Sequence, residues 1–286
     1  MTDAVLEVVS SGTATPRRLI ALDIDGTLLL EDETLSPGAV DAVQAARAAG
    51  HIVTIATGRS WFGTRKVVEW LGIFPELIVT ANGATIMGRD EKAPEGYVRD
   101  TVETFEATDV LTHLESELPE ANFLVELGDG TRLYNNFVDD WDLSAPNAHH
   151  VDIDEMKGRE VTRIVVVSDD HAGDEFAEFV DRLGLQQVSY AVGWSAWLDI
   201  APQGVDKSTA LEQVRERLGV DPENVVVMGD GRNDIQMLDW ARAGGGEAIV
   251  MGQAIDEVRV HGTRITSTVQ EGGVADALTA LGIIAR

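Results

Sequence analysis

The stretch LIALDIDGTLLL, Leu19 to Leu30, decides how the rest of the chain is read. Leu19–Ile24 is an apolar run of the kind found in a central parallel strand, which is buried on both faces. Yet it carries Asp23 and, directly after it, Asp25. On a strand, residues i and i+2 face the same way, and in parallel sheets ligands bind beyond the carboxyl ends of the strands. Gly26 permits a sharp turn at that end. Two like charges this close repel unless a proton or a cation sits with them, and hard oxygen ligands without His or Cys suit Mg²⁺. Taken alone, the pair serves equally well to cap a turn or the next helix.

The flanking sequence supplies the context. Ser36–Gly50 reads as a helix, with Ser36 as N-cap, Pro37 at the first helical position and Gly50 at the end. His51–Ala56 is a second strand, ending in Thr57-Gly58-Arg59. A helix to Trp70 follows, and then a short strand, Leu77–Thr80, ending in Ala81-Asn82-Gly83. This β-α-β-α-β alternation implies a parallel sheet covered on both faces. The same grammar returns in helix Lys207–Leu218, strand Val225–Met228 and helix Asn233–Ala243. The middle is different. Phe123–Leu127 and Arg132–Asn135 flank a GDG turn and read as a hairpin; Val161–Val167 is strand-like, Glu175–Leu183 helical and Val188–Ile200 strands. The expected organisation is an α+β unit at residues 88–203, inserted between the halves 18–87 and 204–286 of one α/β domain. Residues 1–17 read as a tail.

Composition narrows the partners. The 286 residues carry 49 acidic and 22 basic side chains, a formal net charge of −27. That balance argues against nucleic acid and anionic membranes, although a bound divalent cation would reverse the local field for a phosphorylated ligand. There is no cysteine, hence no disulfide or thiolate chemistry. The first residues are acidic where a signal peptide is basic, and no window approaches the ~18 apolar residues of a membrane span. The expected location is the cytoplasm, as a monomer or homodimer.

Other strand ends repeat the pattern of the first. In MGDGRNDIQML, Asp230 follows the strand VVVM, and Asn233 and Asp234 open a helix; N-capping would account for these residues singly. Thr57 follows its strand, where a capping hydroxyl is also common. Lys207, one of only four lysines, opens a helix, where a cation is unfavourable. A phosphate to neutralise would be a reason for it. Four separate segments thus bring two Asp, a Thr, a Lys and an Asp/Asn cluster to one edge of one sheet.

DIDGT, the strand-end TGR, the lone Lys before a helix and GDGRND resemble the four signature motifs of the haloacid dehalogenase (HAD) superfamily of phosphotransferases. ANGA at Ala81–Ala84 and the GVDK and GDxxND forms resemble its Cof-like branch, from about Arg18 to the C-terminus. The resemblance implies a Rossmann-like, doubly wound parallel sheet with an inserted α+β cap that selects the substrate. It implies that Asp23 is the nucleophile forming an aspartyl-phosphate and Asp25 the general acid and base. Thr57, Gly58, Arg59, Asn82, Lys207 and Asn233 are implied to bind phosphate or substrate. Mg²⁺ is implied to be held by Asp23, the carbonyl of Asp25, Asp230 and, in support, Asp234. Gln253 in MGQA departs from the Asn usual in relatives.

Remaining candidates are plainer. His149-His150 is expected in a surface loop, and Gly244–Gly246 as a helix stop. Trp61, Trp194 and Trp197 are expected mostly in the core, although Trp61 follows the Thr57 loop closely enough to line a substrate. The resulting expectation is a Mg²⁺-dependent phosphatase for small phosphorylated metabolites, such as sugar phosphates or phosphorylated cofactors. The alternatives are a hexose-phosphate phosphomutase and a non-catalytic phosphate-binding module.

Overall fold

The computed structural model describes residues 16–136, 143, 146–168, 188–192 and 197–285. The chain begins with β1 (Leu19–Leu22), α1 (Ala39–Ala48), β2 (Ile52–Ile55), α2 (Trp61–Leu71), β3 (Leu77–Thr80), β4 (Thr85–Arg89) and β5 (Tyr97–Val102). It continues through β6 (Phe105–Glu106), α3 (Thr108–Glu117), β7 (Asn122–Leu127), β8 (Arg132–Tyr134), β9 (Ala148–His150), α4 (Ile153–Met156), β10 (Glu160–Val167), β11 (Val188–Val192) and β12 (Trp197–Pro202). It closes with α5 (Lys207–Arg217), β13 (Val225–Gly229), α6 (Ile235–Ala243), β14 (Glu247–Val250), α7 (Asp256–Arg259), β15 (Arg264–Ile265) and α8 (Gly273–Ala280).

Strand β1 lies between β13 and β2 in a parallel sheet of order β15-β14-β13-β1-β2. Its side chains alternate between two cores. Ile20 and Leu22 pack with the apolar faces of α1, α2 and α8. Leu19 and Ala21 pack with α5, α6 and Val258 of α7. Burial on both faces is the physical reason that LIAL has no polar alternation.

Some boundaries differ from the sequence reading. Strand β1 ends at Leu22 rather than Ile24, although the Asp23 N–H still donates to Met228 O at 3.0 Å. Ser36 is not the N-cap of α1. That place is held by Gly38 at φ 73°, and the buried Ser36 hydroxyl donates to Val269 O at 2.6 Å, tying this turn to the C-terminal segment. The helix expected from Asn233 begins at Ile235, after a 3-10 turn at Arg232–Asp234. His149 and His150 lie in β9 rather than a loop, and both are exposed. Most of the tail (residues 1–15), the helix expected at Glu175–Leu183 and Trp194 lie outside the described residues.

After β3 the chain does not continue the parallel pattern. β4 and β5 add antiparallel to β3, and a parallel bridge between Ala56 and Val79 joins this unit to the main sheet. Residue 88, where the insertion was expected to begin, falls inside β4, and this pairing runs to Val102. The inserted α+β cap is built on a second sheet of order β11-β12-β10-β7-β8-β9, with β6 beside β10. One face of that sheet packs Phe123, Val125, Ile164, Val166, Leu198 and Ile200 against Leu111 and Leu114 of α3. The alternate residues, among them Glu126, Arg163 and Asp199, point the other way, and two of them reach the loops that end β2 and β3.

Candidate active site

Because the central strands run parallel, their carboxyl ends share one edge, and the residues just beyond them meet there. Asp23 follows β1, Thr57 follows β2 and Asp230 follows β13 directly. Lys207 is the first residue of α5 and is 0% exposed. Its Nζ lies 2.7 Å from Asp23 Oδ1 and 2.6 Å from Asp234 Oδ1, although Asp23 is 184 residues away in sequence. Two carboxylates therefore answer the cation that a helix N-terminus disfavours. Asp206 relieves it further by capping α5, accepting from the N–H groups of Ser208 and Thr209.

Asp234 is engaged at both oxygens. Oδ1 holds Lys207, and Oδ2 accepts the N–H groups of Asp230 and Gly231, each at 3.0 Å. It thereby fixes both the lysine and the loop that presents Asp230. The turn after β1 must be glycine: Gly26 has φ +73°, and a Cβ there would overlap the Asp230 carboxylate. Gln253 braces this turn, donating to Gly26 O and accepting the Val269 N–H at 3.0 Å. The longer amide at this position thus spans two loops at the rim.

The electrostatics of the cluster call for a positive charge. Burial pushes the Asp23 pKa well above the usual carboxylate value; Lys207 opposes this, while Asp234, Asp25 and Asp230 add to it. Burial, with Asp234 next, pushes Asp230 up to about 7. For Lys207, burial disfavours the charge, but Asp23 and Asp234 outweigh it and its pKa lies above the ordinary lysine value. Asp23, Asp230 and Asp234 each offer an oxygen within 4.8 Å of one another. An all-oxygen donor set with excess negative charge fits a hard divalent cation such as Mg²⁺.

The loop after β2 forms a second wall. Thr57 is fully buried; its Oγ1 accepts the Arg59 N–H at 3.1 Å and its carbonyl accepts the Asn82 N–H at 3.0 Å. Arg59 does not point at Thr57. Its guanidinium grips Asp25, with Nε 2.9 Å from Oδ2 and a terminal nitrogen 2.5 Å from Oδ1, and also reaches Glu33 at 3.1 Å. Asp25 itself is exposed, so this pair lies at the mouth of the site. Asn82, in the left-handed region at φ 50°, joins three segments. Its Oδ1 accepts from Asn233 Nδ2 at 3.1 Å, and its Nδ2 donates to Asp199 Oδ2 at 2.9 Å.

Two cap residues were missed by sequence reasoning. Arg163 donates to Gly58 O at 2.5 Å and lies 3.4 Å from Asp199 Oδ2 and 3.3 Å from Glu126 Oε2. Asp199 is buried, and that burial lifts its pKa to about 6, against the opposing pull of Arg163. A signal did exist: Asp199 is the lone charge of WLDIAP, and Arg163 is the one charge in the interior of EVTRIVVV. Of the tryptophans, Trp61 packs in the main core against Tyr97, with ring centroids 4.8 Å apart, and Trp197 packs with Leu124 and Val165 of the cap.

Comparison with known proteins agrees with this geometry. A family model for haloacid dehalogenase-like hydrolases matches residues 20–278. The 5-amino-6-(5-phospho-D-ribitylamino)uracil phosphatase YitU of Bacillus subtilis (strain 168) is 26% identical over 262 residues, covering 90% of this chain and 94% of its own. A second phosphatase named for the same compound in that organism, YcsE, is 27% identical over 264 residues, covering 91% and 94%. Among solved structures, the subclass IIB sugar phosphatase BT4131 superposes with a TM-score of 0.76 at 20% identity, covering 93% of this chain and all of that one. The phosphatase BT1666 of Bacteroides thetaiotaomicron gives 0.73 at 24% identity, covering 98% of this chain and 100% of that one. Family match, core and inserted cap all agree: the chain belongs to the haloacid dehalogenase-like hydrolases, as a phosphatase of their Cof-like branch.

Proposed function

We propose that the protein is a Mg²⁺-dependent phosphatase that hydrolyses small phosphorylated metabolites in the cytoplasm through an aspartyl-phosphate on Asp23. The observation that carries this reading is the buried Lys207 between Asp23 and Asp234, with Asp230 beside them. It supplies a nucleophile, a cation for the phosphoryl oxygens and a place for a metal ion at one sheet edge.

Asp23, Asp230 and the carbonyl of Asp25 would hold Mg²⁺, which when bound neutralises charge on the phosphoryl group. The chain's own residues do the rest. Asp23 attacks phosphorus, and the bond to the leaving oxygen breaks as Asp25 delivers its proton. Asp25 then takes a proton from the water that cleaves the acyl-phosphate. Lys207, the Thr57 hydroxyl and the Thr57–Arg59 backbone position the phosphoryl oxygens, since in-line placement and charge neutralisation are what this reaction needs most. Asn233 and Asn82 orient that wall. Arg59 holds Asp25 between turnovers. Two relatives named for a phosphorylated ribitylaminouracil favour a ring-bearing polyol phosphate as substrate. The cap, from β6 to β12, is assigned substrate choice.

Asp23→Asn tests the reading. It should abolish phosphate release from every substrate, para-nitrophenyl phosphate included, and so should excess EDTA on the parent. Turnover surviving either treatment would refute the reading.

A further inference from the structure

Glu33 stands where a hairpin ordinarily places glycine. Beyond β1 the chain folds back on itself: Leu29 and Leu35 bridge antiparallel, the Leu30 N–H donates to Thr34 O at 2.9 Å, and the Glu33 N–H donates to Leu30 O at 3.0 Å. A three-residue hairpin loop of this kind ends on a left-handed residue, for which Gly is the usual choice. Here that residue is Glu33, at φ 61°. The turn does not need its side chain. Asp32 braces it, with Oδ1 accepting from the Thr34 N–H at 3.0 Å and from the Thr34 hydroxyl at 2.5 Å. Backbone strain of this sort gathers at functional sites, and the Glu33 side chain points to one.

Its partner is Arg59. The guanidinium of Arg59 forks onto Asp25, with Nε 2.9 Å from Oδ2 and 3.1 Å from Oδ1 and a terminal nitrogen 2.5 Å from Oδ1; that same terminal nitrogen reaches Glu33 Oε1 at 3.1 Å. Among the described residues these two are its carboxylate partners. Burial disfavours its charge, but Asp25 and then Glu33 outweigh this, and its pKa lies above the ordinary arginine value. The Glu33 side chain is 65% exposed, and an ion pair so exposed adds little to stability. Stability therefore does not account for a glutamate in this strained place.

The chemistry assigned to Asp25 does. A guanidinium fork on two oxygens suits a bare carboxylate. Before Asp25 passes a proton to the leaving oxygen, that proton sits on one of the same two oxygens, a donor facing donors. The fork must withdraw, and a guanidinium that is only 24% exposed needs another acceptor when it does. Glu33 is that acceptor, with one hydrogen bond already made.

We infer that Glu33 is a positioning residue for the reaction: it receives the Arg59 guanidinium in each turnover and so frees Asp25 to pass its proton to the leaving oxygen. Arg59 keeps all of its own protons throughout. The inference rests on the phosphatase reading and deepens it. Two aryl phosphates of similar size test it, para-nitrophenyl phosphate, whose leaving group hardly needs a proton, and phenyl phosphate, whose leaving group does. Their kcat/KM values cover the steps through release of the leaving group. In Glu33→Gln the value for phenyl phosphate should fall about tenfold, a part of what a general acid supplies, while that for para-nitrophenyl phosphate stays within about twofold. Glu33→Gly relieves the left-handed backbone, so it should melt no lower than the parent, yet it should lose as much on phenyl phosphate. In an Arg59→Met background, Glu33→Gln should cause no further change, because Glu33 acts through Arg59. Equal losses on the two substrates, no loss on either, phenyl phosphate turnover retained in Glu33→Gly, or a further loss in the double variant would each overturn the inference while the parent still hydrolyses both compounds. A parent that releases phosphate from neither overturns the phosphatase reading, and this inference falls with it.

Discussion

Asp23 and Asp25 stand two residues apart in very different surroundings, one buried against Lys207 and the other exposed and gripped by Arg59. Their proposed roles separate in experiment. Asp25→Asn leaves Asp23 intact and removes only proton transfer, typically worth about 10²–10⁴-fold. Alkyl phosphates should turn over very slowly in this variant. Para-nitrophenyl phosphate, whose leaving group hardly needs a proton, should give a burst of about one equivalent and then slow release. Rapid quenching and mass spectrometry should find one phosphoryl adduct, on Asp23, in Asp25→Asn and none in Asp23→Asn; an adduct in Asp23→Asn and none in Asp25→Asn would reverse the assignment. Lys207 makes the complementary case. Lys207→Met strands the buried Asp23 and Asp234 carboxylates, a loss of about 3–5 kcal/mol for a broken buried pair. Urea unfolding in EDTA should register it, and addition of Mg²⁺ should stabilise this variant more than the parent.

At the scale of elements, what could be read from the sequence followed from periodicity. LIAL, VVVM and their helices were legible because both faces of a central parallel strand are buried and the run is continuous. The motif residues were legible because they sit at the ends of those strands. The start of α1 was misread because Ser36-Pro37 imitates a helix start, while the Ser36 hydroxyl is claimed by Val269, 233 residues away. No local pattern announces such a partner. The grip of Arg163 on Gly58, across 105 residues, was invisible for the same reason. This contact links a cap strand to the loop after β2, and a prediction follows from its geometry. Lysine keeps the charge of Arg163 but lacks the fork that serves Gly58, Glu126 and Asp199 together. In Arg163→Lys, backbone amides of residues 57–60 should exchange hydrogen faster, while those of β13 stay as protected as in the parent. Unchanged exchange at the loop would show that the cap contact does not hold it.

For the whole molecule, charge dominates. With a formal charge of −27, self-repulsion opposes the folded state, and salt screens it over a length that falls from about 30 Å at 0.01 M to about 3 Å at 1 M. The melting temperature should therefore rise with sodium chloride, and a fall would mean that attractive pairs prevail. Asp199 adds a pH dependence of definite sign. Its folded pKa of about 6 lies above the ordinary 3.8, so the folded state binds more protons between those values. The associated stability is present below the lower value and is lost as pH rises through the upper one, by up to about 3 kcal/mol. Asp199→Asn should abolish this slope. Urea unfolding at pH 4.5 and 7.5 should show the variant gaining on the parent at the higher pH.

The exit and return of the inserted chain are fastened to one another through the turn after β3. Glu103 N–H donates to Ala84 O at 2.9 Å, and the neighbouring Gly83 packs so tightly on the Asp206 carbonyl that no side chain fits there. The host fold thus presents two adjacent sockets, and it fixes their spacing with its own residues rather than with those of the guest. A chain built this way can exchange what it carries between Thr104 and Val205 for another folded unit with neighbouring ends, because insertion is tolerated where the ends lie together. With the substrate choice proposed for the cap, one hydrolytic engine would acquire new substrates by recombination of a single internal cassette, without re-evolving Lys207, two residues past the join.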